Sequence, residues 1–243
     1  MLISSLPIVR DTLSPLKQSS NWADFYSRKR LGARYPTEWV IRTLAGGNYP
    51  GLKMDKNRYA GARILDMGCG DGRNLPLLLD LGFEVHATEI TSDIVTSLHA
   101  MADKYDWPVN FKVGMNASLP YPDQYFDYML CCASCYYLEG TMTWAGVRKE
   151  LARVIKPGGL IIANFPDDQT AILNESIRQA DGSQLITNDP FNLRNGTRFM
   201  AVTEKTDLEP LLTPEFRLIG SGHQVDDFYG LRVSVFMTVS ERL

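Results

Sequence analysis

The residues with the clearest chemical meaning are ILDMGCGDGRN, positions 64–74, and the acid Glu89, nineteen residues beyond Gly70. A hydrophobic run that ends in Gly68-Cys69-Gly70 makes a tight turn, and the missing side chains let backbone approach a ligand. An acid at Glu89, closing HATE, can accept hydrogen bonds from both hydroxyls of an adenosine ribose. Asp66, two residues before Gly68, sets a carboxylate near the turn; it repels a pyrophosphate and suits an ammonium group or a water network. A dinucleotide site uses Gly-x-Gly-x-x-Gly with its pyrophosphate at the helix N-terminus, but Arg73 replaces the third glycine and Gly72 comes one residue early. A cofactor with adenosine at one end and a cationic amino acid at the other fits better. A Rossmann-type NAD-dependent oxidoreductase is the alternative, and a non-catalytic, cofactor-binding regulatory partner is a second.

Other reactive residue types carry less. Cys131, Cys132 and Cys135 contain a C-x-x-C, yet zinc needs about four ligands and no second pair or histidine cluster lies nearby in sequence, so no metal is expected. Small buried side chains at a strand end are the expectation there. His86 in a strand and His99 on a helix read as structural, whereas His223 ends a late strand and is a general-base candidate. Tyr136 and Tyr137 follow a strand where an acceptor would lie. Asp167 and Asp168 could take a divalent ion, but Pro166-Asp167-Asp168 reads better as a helix start.

These residues need a scaffold, and the rhythm of the chain supplies one. Residues 1–20 are expected to be a flexible N-terminus and 21–60 a helical cover, its pattern helical from Asn21 to about Ala45. From residue 61 to 243 strands and helices alternate. Strands are expected at Arg63–Met67, Phe83–Thr88, Val109–Val113, Phe126–Cys131 and Leu160–Asn164. Helices are expected after the glycine turn, at Ser92–Tyr105 with Ser92 as N-cap, at Thr143–Val154 and at Thr203–Leu212, with a turn at Lys156-Pro157-Gly158-Gly159. Phe216–His223 and Leu231–Ser240 close the chain as an antiparallel pair, and 167–200 is an inserted lid or cap. The alternation implies an α/β, doubly wound sheet with helices on both faces.

Set in order, these segments resemble the class I S-adenosylmethionine-dependent methyltransferases. ILDMGCGDG is similar to that family's glycine-rich motif, NASLPYPDQYFDYMLC to the stretch beside the adenine, and ELARVIKPGGLIIANF to the helix–turn–strand of its small-molecule members. The resemblance implies a Rossmann-like, seven-stranded sheet with its last strand antiparallel. It implies S-adenosyl-L-methionine as methyl donor, S-adenosyl-L-homocysteine as product and direct displacement onto a small-molecule acceptor. Carried over by position, Asp66, Gly68, Cys69 and Gly70 would hold the methionine end, Glu89 the ribose, and Ile90, Asn116 and Ala117 the adenine. Cys131 would approach the methionine moiety through its backbone. Asn116 departs from the commoner Asp. The head segment WADFYSRKRLGARYPTEWVIR resembles bacterial methyltransferases of sugar or polysaccharide pathways, which would bring Tyr26, Arg34 and Tyr35 near donor or acceptor. Tyr35, Tyr136 and His223 are the catalytic candidates. The signature of adenine and glutamine N-methyltransferases is absent where CCASCYYL stands.

Composition agrees with an ordinary globular chain: 243 residues, 44% hydrophobic and 22% charged, which excludes disordered, collagenous and disulfide-scaffold classes. No apolar run nears the ~18 residues that span a bilayer. Four cysteines without a framework, and an N-terminus lacking a basic n-region, point to the cytoplasm and away from a signal peptide. The net charge of −3 hides +7 over residues 1–63 and −10 over 64–243. That pattern argues against nucleic acid, whose phosphates the acidic body repels, and allows an anionic small acceptor under the basic head. The oligomer expected is a monomer or homodimer.

Overall fold

The computed structural model describes residues 15–27 and 35–243, with side chains from residue 21 onward in the first stretch. Arg34, and much of the basic head, lie outside the described residues. The chain runs α1 (Pro15–Ser27), α2 (Glu38–Leu44), β1 (Arg63–Met67), α3 (Leu75–Asp80), β2 (Glu84–Glu89), α4 (Ser92–Tyr105), β3 (Val109–Val113), β4 (Phe126–Cys131) and β5 (Tyr137–Leu138). It continues through α5 (Trp144–Val154), β6 (Ile155–Pro166), β7 (Ser176–Arg178), β8 (Gln184–Ile186), β9 (Arg198–Phe199), α6 (Leu208–Leu212), β10 (Phe216–Phe228) and β11 (Leu231–Arg242).

Seven strands form the main sheet in the order β10-β11-β6-β4-β1-β2-β3. Its strands β1, β2, β3, β4 and β6 pair in parallel, and β11 is antiparallel to both neighbours. The expected seven-stranded α/β sheet is thus present. Both of its faces are buried, which is why β1 and β4 read as mostly apolar runs. One face packs Tyr59, Leu75 and Leu98, and the other packs Phe126, Trp144 and Phe165. Burial of each such side chain contributes roughly 1.5–3 kcal/mol. Strand order reverses between β1 and β4, so a crevice opens at the carboxyl ends of β1, β2, β4 and β6.

Several local expectations need correction. Among the described residues of the head, Tyr35-Pro36-Thr37 is non-helical ahead of α2, since proline pushes its predecessor toward extended backbone. Thr91, not Ser92, caps α4, because Thr91 is extended and accepts from Ile94 N at 3.3 Å. The glycines at 158–159 do not end a segment. β6 begins at Ile155, and the extra residues are absorbed as an irregularity where Phe126 pairs Ile155 but Tyr128 pairs Leu160. Between Thr203 and Leu212, a short 3-10 turn at Lys205–Asp207 precedes α6. The terminal hairpin is longer than expected, 13 and 12 residues, and overruns the sheet. Residues 167–200 contribute three strands to a second antiparallel sheet, β5-β9-β8-β7, fastened to the first region through Tyr137 and Phe199.

Asp167 does not begin a helix. It is buried, and Gln169 N, Ser234 Oγ and His223 Nε2 lie within 2.9 Å of its carboxylate. Burial raises its pKa, but the hydrogen bonds outweigh burial and hold it below the usual carboxylate range.

Candidate functional site

The glycine turn fixes the centre of the crevice. Gly68, Gly70 and Gly72 all have positive φ, at 65°, 61° and 72°, a region that costs other residues roughly 1–2 kcal/mol. A β-carbon on Gly68 would lie 2.8 Å from Ser134 Cβ, and one on Gly70 would lie 2.5 Å from the Tyr26 hydroxyl. Glycine is therefore required twice over, by conformation and by approach. Asn74 ties the turn to the head, its Oδ1 accepting from Thr37 N at 3.0 Å.

Four acids surround this turn, each in a different bonding state. Glu89 accepts from Gly70 N at 2.6 Å and Ile90 N at 3.0 Å; burial raises its pKa against the pull of those two bonds. Asp71 is held by Arg73 at 2.9 Å. Glu139 is raised by burial. Asp66 is buried, and neither of its carboxylate oxygens has a hydrogen-bond partner among the described residues. Burial, then the charges of Glu89 and Asp71, push its pKa up to about 8. A carboxylate left this way is a site prepared for a cation.

Two compartments meet over the turn. The smaller, about 80 Å³, is lined by Glu89, Ile90, Met115, Asn116, Ser134 and Met142. The larger cleft, about 910 Å³, holds Asp66, Cys69, Gly70, Cys132 and Asn164 in its wall and runs out toward Phe191 and Phe228. Gly68, Ala133, Trp22, Tyr26 and Tyr137 line both. The α1 residues Trp22 and Tyr26 thus lie at the junction, and burial, with Glu89 and Asp71 close by, raises the Tyr26 phenol.

Asn116 stands in the smaller compartment with its amide orientation decided by its neighbours. Nδ2 donates to Ser134 O at 2.9 Å, to Tyr137 O at 3.0 Å and, longer, to Cys135 O at 3.5 Å. Three carbonyls demand the NH2 end there, which leaves Oδ1 as the free acceptor. Ala117, by contrast, packs against the core, and the Cys131 side chain is fully buried beneath the cleft. Cys132 is the cysteine that lines it, with Sγ donating to Thr37 Oγ1 at 3.5 Å. Among the described residues, no group of three or more His, Cys, Asp or Glu side chains could hold a metal.

The catalytic candidates separate. Tyr35 lines the cleft and is 91% exposed; Tyr136 is buried in its wall, stacked on Tyr137. His223 faces the other way, with Ser234 and Phe236, whereas its strand neighbour Gln224 and the partner Val235 look into the cleft. Its position is explained by the bond to Asp167, not by general-base chemistry. His223→Ala is therefore expected to cost about 1–2 kcal/mol in thermal unfolding, while kcat/KM stays within about threefold of wild type.

Sequence spacing missed one charged group altogether. Arg194, from the loop between β8 and β9, enters the cleft wall. Its Nε donates to Tyr137 Oη at 3.0 Å and its Nη1 to Asp189 Oδ2 at 3.1 Å, and its guanidinium lies 5.2 Å from the Trp22 ring. Asp189 also accepts the backbone N–H groups of Phe191, Leu193 and Arg194, so the loop is folded around that carboxylate. Only the Asp-to-Arg spacing hinted at it, and nothing in sequence tied the pair to Tyr137.

Comparison with known proteins bears on the same region. Residues 65–163 match the family described as "Methyltransferase domain". The chain is 31% identical over 118 residues to a 2-methyl-6-phytyl-1,4-hydroquinone methyltransferase of Synechocystis, covering 47% of this chain and 36% of that one. It is 29% identical over 128 residues to a demethylmenaquinone methyltransferase of Bacillus licheniformis, covering 51% and 50%. The matches thus span about a third to a half of those relatives' length. A solved structure from Pyrococcus horikoshii shares the fold, with a TM-score of 0.62 at 24% identity over 90% of this chain and 99% of that one.

Proposed function

Since residues 65–163 belong to the class I S-adenosylmethionine-dependent methyltransferase family, we propose that this chain transfers a methyl group from S-adenosyl-L-methionine to a small-molecule acceptor. The observation that carries the reading is Asp66, a buried carboxylate with no hydrogen-bond partner among the described residues, in the wall of the larger cleft beside the glycine turn. The donor set fits the cofactor. Asp66 would hold its ammonium group, Gly68 and Gly70 would leave room for its amino-acid end, Glu89 would hold the ribose, and Ile90 and Met115 would flank the adenine. Asn116 would accept from the adenine amino group through Oδ1, the end its three carbonyl contacts leave open.

When bound, the sulfonium supplies an electrophilic methyl group whose transfer neutralises the charge. The protein's share is alignment and exclusion of water. Trp22 and Tyr26 line the junction of the compartments, and the described part of the 21–60 head would act as a cover on the domain from 61 to 243. Tyr137 accepts from Arg194 Nε, so its own hydroxyl proton is available to donate to an acceptor oxygen. Burial raises that phenol, against the pull of Arg194, which keeps it a donor at neutral pH.

The acceptor reading supported best is a planar ring bearing an ionisable oxygen. Aromatic rings of Tyr136, Phe191 and Phe199 in the wall, the Arg194 charge, and relatives named for a hydroquinone and for demethylmenaquinone favour it. The anionic and sugar-related acceptors implied by the head segment compete through the same Arg194. Isothermal titration with S-adenosylhomocysteine is expected to give one site per chain with micromolar affinity, and NAD no heat. Heat from NAD alone would reverse the assignment.

A further inference from the structure

The terminal hairpin continues past the sheet it closes. β6 ends at Pro166, which pairs with Val235, so residues 225–234 project beyond as a two-stranded ribbon. On the ribbon face toward the cleft, β11 presents Leu231, Val233 and Val235, every second residue and each only half-buried. Four residue steps at ~3.4 Å make this an apolar stripe about 14 Å long. Ala171 and Ile172 also line the cleft, with the 171–173 turn packed against β11. At the outer end Phe191 and Phe228 line the mouth, yet are 57% and 56% exposed. Large apolar rings left half in water at the mouth of a cleft mark a surface meant to be covered.

We infer that this ledge binds an apolar chain carried by the acceptor, so that the substrate class is a ring with an extended hydrocarbon tail. The inference rests on the methyl-transfer reading only for what sits at the inner end; the ledge is continuous with the cleft that holds Asp66 and Gly68. On β10 the cross-strand partners Gln224 and Asp226 line the same cleft and are hydrogen-bonded to each other, so the stripe on β11 is flanked by a polar edge whose side chains are paired. The tail would lie along β11 and emerge between Phe191 and Phe228.

The test is a series of 4-alkylphenols with two, four, six and eight carbons, titrated into the protein with and without S-adenosylhomocysteine. Affinity is expected to tighten about threefold to fourfold per methylene until the ledge is full. Val233→Asp should flatten that dependence. Phe228→Ala, an exposed position whose loss does not threaten folding, should remove only the gain from the longest chains. Both variants should bind S-adenosylhomocysteine as wild type does. Equal affinities along the series in wild type, or a gain that persists in both variants, overturn the inference. A chain-length gain in a protein that binds no S-adenosylhomocysteine keeps the ledge and sinks the methyl-transfer reading instead.

Discussion

Asp66→Asn should weaken S-adenosylhomocysteine binding by about a hundredfold to several thousandfold, because a buried ion pair that loses one partner costs roughly 3–5 kcal/mol. The same change should stabilise the empty protein. Asp66 has a folded-state pKa of about 8, above the 3.8 of the free side chain, so the empty folded protein binds its proton more tightly than the unfolded chain. Below about pH 4 both states are protonated and the group contributes nothing. As pH rises toward 8 the folded state must either keep the proton or bury a bare charge, and stability falls. The melting temperature of Asp66→Asn should therefore match wild type near pH 4 and exceed it most at pH 8 or above. About 1–3 kcal/mol is the expected gain, or roughly 2–12 °C for a chain of this size. Binding of a cationic ligand should expel the proton, so titrations below pH 8 in buffers of different ionisation enthalpy should show proton release. Equal melting curves at every pH would mean that Asp66 is solvated or paired, and the cation site would fall with it.

Asn116→Asp is the second large effect. An Asn to Asp change is small in shape, and Asp is the commoner residue in the family this segment resembles. Here the NH2 group donates to the carbonyls of Ser134 and Tyr137, and a carboxylate would set oxygen against oxygen at the same places. Each lost hydrogen bond in a part-buried site costs about 1–3 kcal/mol once its acceptor is left unpaired. The loop from 132 to 137 also carries Ser134 against Gly68, so its displacement reaches the glycine turn. We expect S-adenosylhomocysteine affinity to drop by about a hundredfold at pH 8 and to recover partly as pH falls, since a protonated carboxyl regains one donor. Asn116→Ala, which removes donors without adding charge, should bind weakly with no such recovery. A pH-independent loss in both variants would remove the donor role.

How far the sequence reached depended on the distance over which each feature is determined. The turn at Gly68-Cys69-Gly70, the position of Glu89 at a strand end and the alternation that builds the parallel sheet are set by residues within about thirty positions. Local conformation and strand period settle them, and all of them stand in the fold. Boundaries failed where a tertiary contact outweighed a local signal. Glycines at 158 and 159 read as a stop, but pairing with β4 carried β6 through them. Asp167 read as a helix start, but Ser234 and His223, far along the chain, bury it in the hairpin.

Chemistry followed the same division. By itself the sequence determined a glycine turn, an acid nineteen residues on and a doubly wound sheet to hold them, because each is written in neighbouring residues. Tertiary structure alone decided that Asp66 is left unpaired among the described residues, which end of Asn116 faces the carbonyls, that His223 turns from the cleft and that Arg194 meets Tyr137. Those outcomes depend on desolvation and on partners 18 to 67 positions apart, and neither quantity exists until the chain has closed on itself.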